Sequence, residues 1–317
     1  MANKIKKKSI LKKKDRMLFQ KDVTKVALSC LFFMYLSLGL AYIFKFLGFD
    51  TYNNEFFGTM YLLYCIISIA IIGFINKDYI LDKETSRMPI NLKSFFAGFT
   101  SMIAFMVFFT APVVILDFVL TQFGYTLESL APANTSSDSI TEFLYIAIIG
   151  PICEEIIFRG FVQRRLEKYS PVIAVFVSAI SFGFFHGNFS QLFPMVGVGL
   201  VLGYMAYKYS IKMSIAMHIT YNLVFGELFG FLTDFLERDG TEFLIPIIDI
   251  SPFLACIMIL TMIGILVLSH LILIGKFPLN EYKMKLKNLF YCFTSSGMII
   301  FSAISFCSCV YFIEKII

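Results

Sequence analysis

Nine apolar runs dominate this chain: 26 to 44, 56 to 75, 95 to 116, 143 to 161, 171 to 186, 192 to 207, 213 to 232, 252 to 274 and 289 to 313. A helix that crosses a bilayer needs about 20 apolar residues. These runs approach or exceed that length, although several in the middle are short or carry charges. Hydrophobic residues make up 58% of the 317 and charged residues 15%, with a mean hydropathy of +0.79, against about 25% charged residues in an ordinary soluble domain. A soluble protein is excluded, and the fold expected is all-α: a polytopic membrane helix bundle of about nine transmembrane helices.

The charges set the expected orientation. Ten of the 27 Lys and Arg lie between Lys4 and Lys25, so the net charge of +5 is a local feature. It suits an anionic inner leaflet, where each cation gains about 1 kcal/mol, and nucleic acid is not an expected partner. With the N-terminus cytoplasmic, the inner connectors carry Lys77, Lys83, Arg87 and Lys93; Arg159, Arg164, Arg165 and Lys168; Lys208 and Lys212; and Lys276, Lys283, Lys285 and Lys287. Only Lys45, Arg238 and Lys315 fall outside, as the cytoplasmic bias of basic residues requires. The first apolar run is longer than the roughly 7 to 15 residues of a signal-peptide core, and no small-residue cleavage site follows it; it is read as an anchor.

The organisation expected is a basic cytoplasmic arm (1–25), three N-terminal spans (26–120), a core of four (140–232) and two final spans (252–317). The outer connector from Asp117 to Glu142 has no cation and is turn-rich, which reads as a mobile loop. The seven cysteines all lie in apolar runs without metal or disulfide spacing. Gly199 and Gly203 make a GxxxG face for close helix packing. Asp117, Asp234 and Asp249 are read as solvated outer-end residues, and His270 as interfacial. The excess of Lys over Arg and the lack of Trp fit an AT-rich bacterial genome, so the location expected is the bacterial plasma membrane.

Ionisable groups inside spans cost about 2.5 to 3.5 kcal/mol at the bilayer centre and mark function by default. They cluster in this chain. The fourth run contains Glu154, Glu155 and Arg159. Glu155 and Arg159 are four apart with the acid first, the better orientation for a helical ion pair. Glu154 lies about 100° around the helix with no such local partner. An unpaired carboxylate in a low-dielectric site is suited to general base catalysis. Taking Tyr169-Ser170-Pro171 as the turn of a hairpin, Glu154 lies 16 residues before Ser170 and His186 16 after it, about 24 Å from the turn on both arms. His218 and Asn222, on one face of the seventh run, reach a similar depth.

A carboxylate, a neighbouring histidine and a second histidine with an asparagine are the parts needed to activate water and hold an oxyanion. No G-x-S-x-G or H-E-x-x-H motif competes with them. Two hydrolytic chemistries are open to the set: a zinc held by Glu154, His186 and His218, since His₂Glu is a known catalytic ligand set, or a metal-free glutamate mechanism.

Glu154-Glu155 with Arg159 (EExxxR), Phe182 with His186 (FxxxH) and His218 with Asn222 (HxxxN) resemble, in order and spacing, the CPBP family of type II CAAX prenyl proteases, bacteriocin-processing and immunity proteins and abortive-infection proteins. The resemblance spans about 140 to 232. It implies an intramembrane endopeptidase open toward the cytoplasm, in which Glu154 and His186 activate water, His218 and Asn222 stabilise the oxyanion, and Glu155 and Arg159 support them. In a bacterium the implied substrate is a peptide precursor, a leader or a membrane protein, including bacteriocin maturation or self-immunity. Two other classes are compatible with the residues: a non-catalytic membrane partner that regulates another membrane protein, and a proton-coupled transporter relaying through Glu154, Glu155 and His186.

Overall fold

The computed structural model describes residues 13–49, 54–75, 88–127, 137–228, 230–231 and 286–315. The eighth apolar run and His270 lie outside these residues, as do Asp234 and Asp249. Among the described residues the architecture is all-helical apart from one small ribbon. The helices are α1 (Lys13–Phe46), α2 (Asn54–Ile75), α3 (Leu92–Thr121), α4 (140–167), α5 (Pro171–Phe185), α6 (Phe189–Lys208), α7 (211–228), α8 (Leu286–Phe293) and α9 (Ser296–Tyr311). Three of them, covering Asp15–Phe46, Leu92–Thr121 and Phe189–Lys208, are long and apolar enough to cross a membrane. In α3 only 11% of the most apolar window is buried among the described residues.

The turn between α4 and α5 falls where the hairpin was expected. Ser170 caps α5 through Ile173 N–H, with Pro171 in the first turn, where its missing N–H is harmless. The basic stretch at 13–25 is helical. It is part of α1, and the start of this helix is fixed to the turn because Asp22 accepts from Arg165 Nη2 at 2.7 Å and Tyr169 Oη at 2.8 Å and pairs with Lys168 at 2.7 Å. Phe19 and Val23, on the same face, are completely buried.

Two further expectations change. The ninth run is broken: α8 ends at Phe293 and α9 starts at Ser296, with Ser295 extended between them. Thr294, Ser295, Ser296 and Gly297 are poor helix formers, and the bare Cα of Gly297 lets α9 approach Thr24 of α1. The outer connector is not wholly irregular either. Tyr125–Leu127 pairs antiparallel with Ile313–Lys315, and Asp117 accepts from Thr126 Oγ1 and Leu127 N–H at 2.9 Å each, so Asp117 is a cap for this ribbon rather than a solvated end.

The core draws on both sides of that connector. Phe33, Tyr64 and Met102 from α1 to α3 share one cluster with Phe158, Phe182 and Met217. Helices also pack tightly at the glycine face of α6, where a Cβ on Gly199 would lie 2.9 Å from the Ala179 Cα and one on Gly203 2.8 Å from Gln163 Oε1. The bare glycines also expose their carbonyls. Arg159 Nη2 donates to Gly199 O at 3.3 Å and Gln163 Nε2 to Gly203 O at 3.0 Å: one turn of α4 lies against the matching turn of α6. We expect Gly199→Val to destabilise the protein by about 1–3 kcal/mol through overpacking against backbone. Gly39→Ala, with open space at its Cβ, should be neutral to slightly stabilising. Unfolding in SDS–detergent mixtures would measure both, and equal midpoints would contradict the packing described.

Candidate active site

The site forms where α4, α5 and α7 meet. Helix α4 departs from regular α geometry on both sides of the two glutamates: Leu144–Ile149 and Ile156–Gln163 are π-helical, and in α7 Asn222–Leu228 is too. Such wider turns concentrate at functional sites. Pro151 gives this one a chemical reason. In the π register Gly150 N–H bonds Tyr145 O, five residues back, and the next acceptor, Ile146 O, would need an N–H that Pro151 lacks. Asn222 Nδ2 supplies the donor from α7 at 2.7 Å.

Four residues from the sequence motifs are in direct contact. Arg159 Nη1 lies 2.9 Å from Glu155 Oε1, both side chains completely buried, so the four-residue spacing does give the ion pair. Glu155 Oε1 also receives His218 Nδ1 at 3.0 Å. The other ring nitrogen of His218, Nε2, lies 3.7 Å from Glu154 Oε2. Glu154 is 23% exposed and His218 only 4%, so the two carboxylates divide the work: Glu155 holds the histidine from within, and Glu154 faces the open side.

His186 stands just past the end of α5, where its Nδ1 bonds Phe182 O at 2.9 Å. That bond makes Nδ1 the protonated nitrogen of the neutral ring and leaves Nε2 as an acceptor. The Phe182 ring meets His186 and His218 edge-on, at 5.0 and 5.7 Å between centroids, and the Arg159 guanidinium covers it at 4.6 Å. Phe182 therefore spaces the two histidines. Glu154 and His218 are both within electrostatic reach of His186. Asn222 is the residue the structure uses differently from expectation, since one of its amide protons is committed to Ile146.

The donor chemistry of Glu154, His186 and His218 suits zinc, but the geometry does not gather it: among the described residues no three His, Cys, Asp or Glu side chains come together as a metal-ligand group. Sequence reasoning missed the Glu155–His218 bond and the Ile146 carbonyl. Pro151 was the available signal for the second, because a proline inside a helix always leaves a carbonyl upstream to be satisfied.

An all-helical protein with three helices fit to cross a membrane and a buried Glu-Glu-Arg-His cluster defines a membrane protein with a polar, chemically equipped interior. Residues 136–224 match the family model described as type II CAAX prenyl endopeptidase Rce1-like, so this part of the chain is similar to those proteases. The matched segment contains all seven motif residues. No curated protein and no solved structure matches the chain.

Proposed function

We propose that this protein is a multi-pass intramembrane endopeptidase that hydrolyses a peptide bond with water activated by Glu154. The observation that carries the reading is the half-open Glu154 carboxylate 3.7 Å from a histidine whose far nitrogen is held by a buried Glu155–Arg159 pair. Glu154 takes a proton from water, and the hydroxide adds to the carbonyl carbon. His186, with Nε2 as acceptor, orients that water. With His218 as the imidazolium, the charges of Glu154, Glu155, Arg159 and His218 sum to zero, and its Nε2–H and the remaining amide proton of Asn222 stabilise the oxyanion. Glu154 then returns the proton to the leaving amine as the C–N bond breaks. Every step uses the protein's own groups.

The helix directions support nine alternating crossings. Thr24 with Gly297 and Met34 with Ser305 make α1 and α9 parallel, while Tyr61 with Tyr145 and Cys65 with Cys153 do the same for α2 and α4. Gly98 with Met205 and Gly197 with Phe105 make α3 and α6 antiparallel. Each relation is the one that crossings one and nine, two and four, and three and six must have if a single further crossing precedes α8. With the N-terminus inside, the protein lies in the plasma membrane of a bacterium. The substrate is a peptide precursor, a leader segment or a membrane protein, bacteriocin maturation or self-immunity among its uses.

The test is to express wild type and Glu154→Ala at matched membrane levels in a strain lacking the protein and compare new N-termini among membrane and secreted peptides. Products present only with the wild type establish the peptidase and name its substrate. Identical profiles from a strain that still shows the protein's phenotype overturn the proposal in favour of a binding partner.

A further inference from the structure

A second polar element faces Glu154 from α2, outside the matched segment. The Tyr64 hydroxyl is buried and makes no hydrogen bond, the residue being 6% exposed. Ser68 Oγ, one turn further along α2, is completely buried and close enough to the Tyr64 hydroxyl to interact with it, yet neither oxygen finds a partner in hydrogen-bonding geometry among the described residues. Leaving a buried hydroxyl unpaired costs about 1–3 kcal/mol, and such groups in a folded protein call for an explanation. Two on one helix face strengthen the case.

Their position supplies the explanation. Cys153 Sγ lies 3.8 Å from the Cys65 carbonyl, which sets the turn of α2 holding Tyr64 against the turn of α4 holding Glu154. Tyr61 stacks on Tyr145 at 4.7 Å centroid separation and holds the register one turn away. The charge of Glu154 reaches the Tyr64 hydroxyl, yet the two form no direct hydrogen bond. A water can bridge a polar pair held beyond direct bonding distance when each end can bond it. Here one end is a phenol donor and the other a carboxylate acceptor.

We propose that Tyr64 is a positioning residue for Glu154, acting through a bound water that accepts from the Tyr64 hydroxyl, is shared with Ser68 Oγ and donates to the Glu154 carboxylate. The proposal rests on the endopeptidase reading above. It makes α2 part of the active site: His218 fixes the carboxylate from α7, and the hydroxyl pair fixes it from the opposite side.

An idle hydroxyl and a positioning hydroxyl predict opposite results. Removing an unpaired buried hydroxyl that does nothing leaves activity unchanged and stability equal or higher. Tyr64→Phe in the purified full-length protein is expected instead to lower kcat about tenfold with KM unchanged, about the net worth of one hydrogen bond, while the unfolding midpoint stays close to that of the wild type. Ser68→Ala should lower kcat in the same direction, by less. The substrate is a synthetic peptide spanning a cleavage site found by the N-terminal comparison. Wild-type kcat in both variants, with Glu154→Ala inactive, overturns the role of Tyr64 and leaves the endopeptidase standing. An absence of any Glu154-dependent cleavage overturns both, and a fall in kcat accompanied by a lower unfolding midpoint overturns the role of Tyr64 in favour of a packing role.

Discussion

Glu154→Gln is expected to reduce kcat about 10³- to 10⁴-fold while leaving KM and stability close to those of the wild type. The side chain is 23% exposed and contacts His218 only at 3.7 Å, so the isosteric amide removes the base without disturbing a tight contact. General base catalysis contributes about 10²–10⁴ in rate, and in the proposed mechanism Glu154 also returns the proton to the leaving amine, which puts the loss at the upper end. Glu155→Gln provides the contrast. Glu155 sits in no position to meet substrate, being completely buried between Arg159 and His218, and acts by holding the imidazole. Its loss should lower kcat and also the unfolding midpoint, because Arg159 would be left charged without its partner. Kinetics and unfolding on the same preparations separate the two adjacent glutamates, and equal effects on both measurements would contradict the division of roles.

The chemistry of this site was more legible in the sequence than its geometry. An apolar run containing Glu154, Glu155 and Arg159 announces itself because carboxylates in such a setting need partners, and the spacing of four identified Arg159. Counting residues from the turn at Ser170 puts His186 level with Glu154. Contacts that join distant parts of the chain left no such periodic signal. Nothing in the spacing of residues 155 and 218 marks their hydrogen bond, and the pairing of Tyr125 with Lys315 closes a ribbon across 190 residues. The boundary drawn at residue 25 followed charge, but charge does not end a helix: Asp22 finds Arg165 and Lys168 across the bundle, and α1 runs through the boundary.

The helical register was the other hidden quantity. A regular α-helix through Pro151 would also have freed a carbonyl upstream, so a donor from elsewhere was required in either register. The π turn selects Ile146 O for that donor and brings Asn222 to it. One amide proton of Asn222 thereby fixes α7 to α4 and links the position of the proposed oxyanion donor to the backbone of the helix that carries Glu154. The glycine face of α6 has the same double character. It permits close packing, and its bare carbonyls receive Arg159 and Gln163, so the support of the catalytic cluster is built from packing and hydrogen bonds together.

The largest loss of stability is expected from Arg159→Met, about 3–5 kcal/mol, the usual result of removing one member of a buried ion pair. The substitution leaves the Glu155 carboxylate, completely buried and bonded to His218, without its charged partner, and it deprives Gly199 O of a donor. Volume alone is not the cause, because Met fills much of the space of the arginine stem. The double variant Glu155→Gln/Arg159→Met tests this directly: with both charges gone it should regain most of the lost stability, since neutral replacements of a buried pair are often tolerated. Its activity should stay low, because the introduced amide at position 155 can still accept from His218 but no longer supplies the negative charge that stabilises an imidazolium. Recovery of stability without recovery of kcat would separate the two functions of the pair. Unfolding midpoints that fall further in the double variant than in the single one would show that the pair contributes to folding by packing and not by charge compensation.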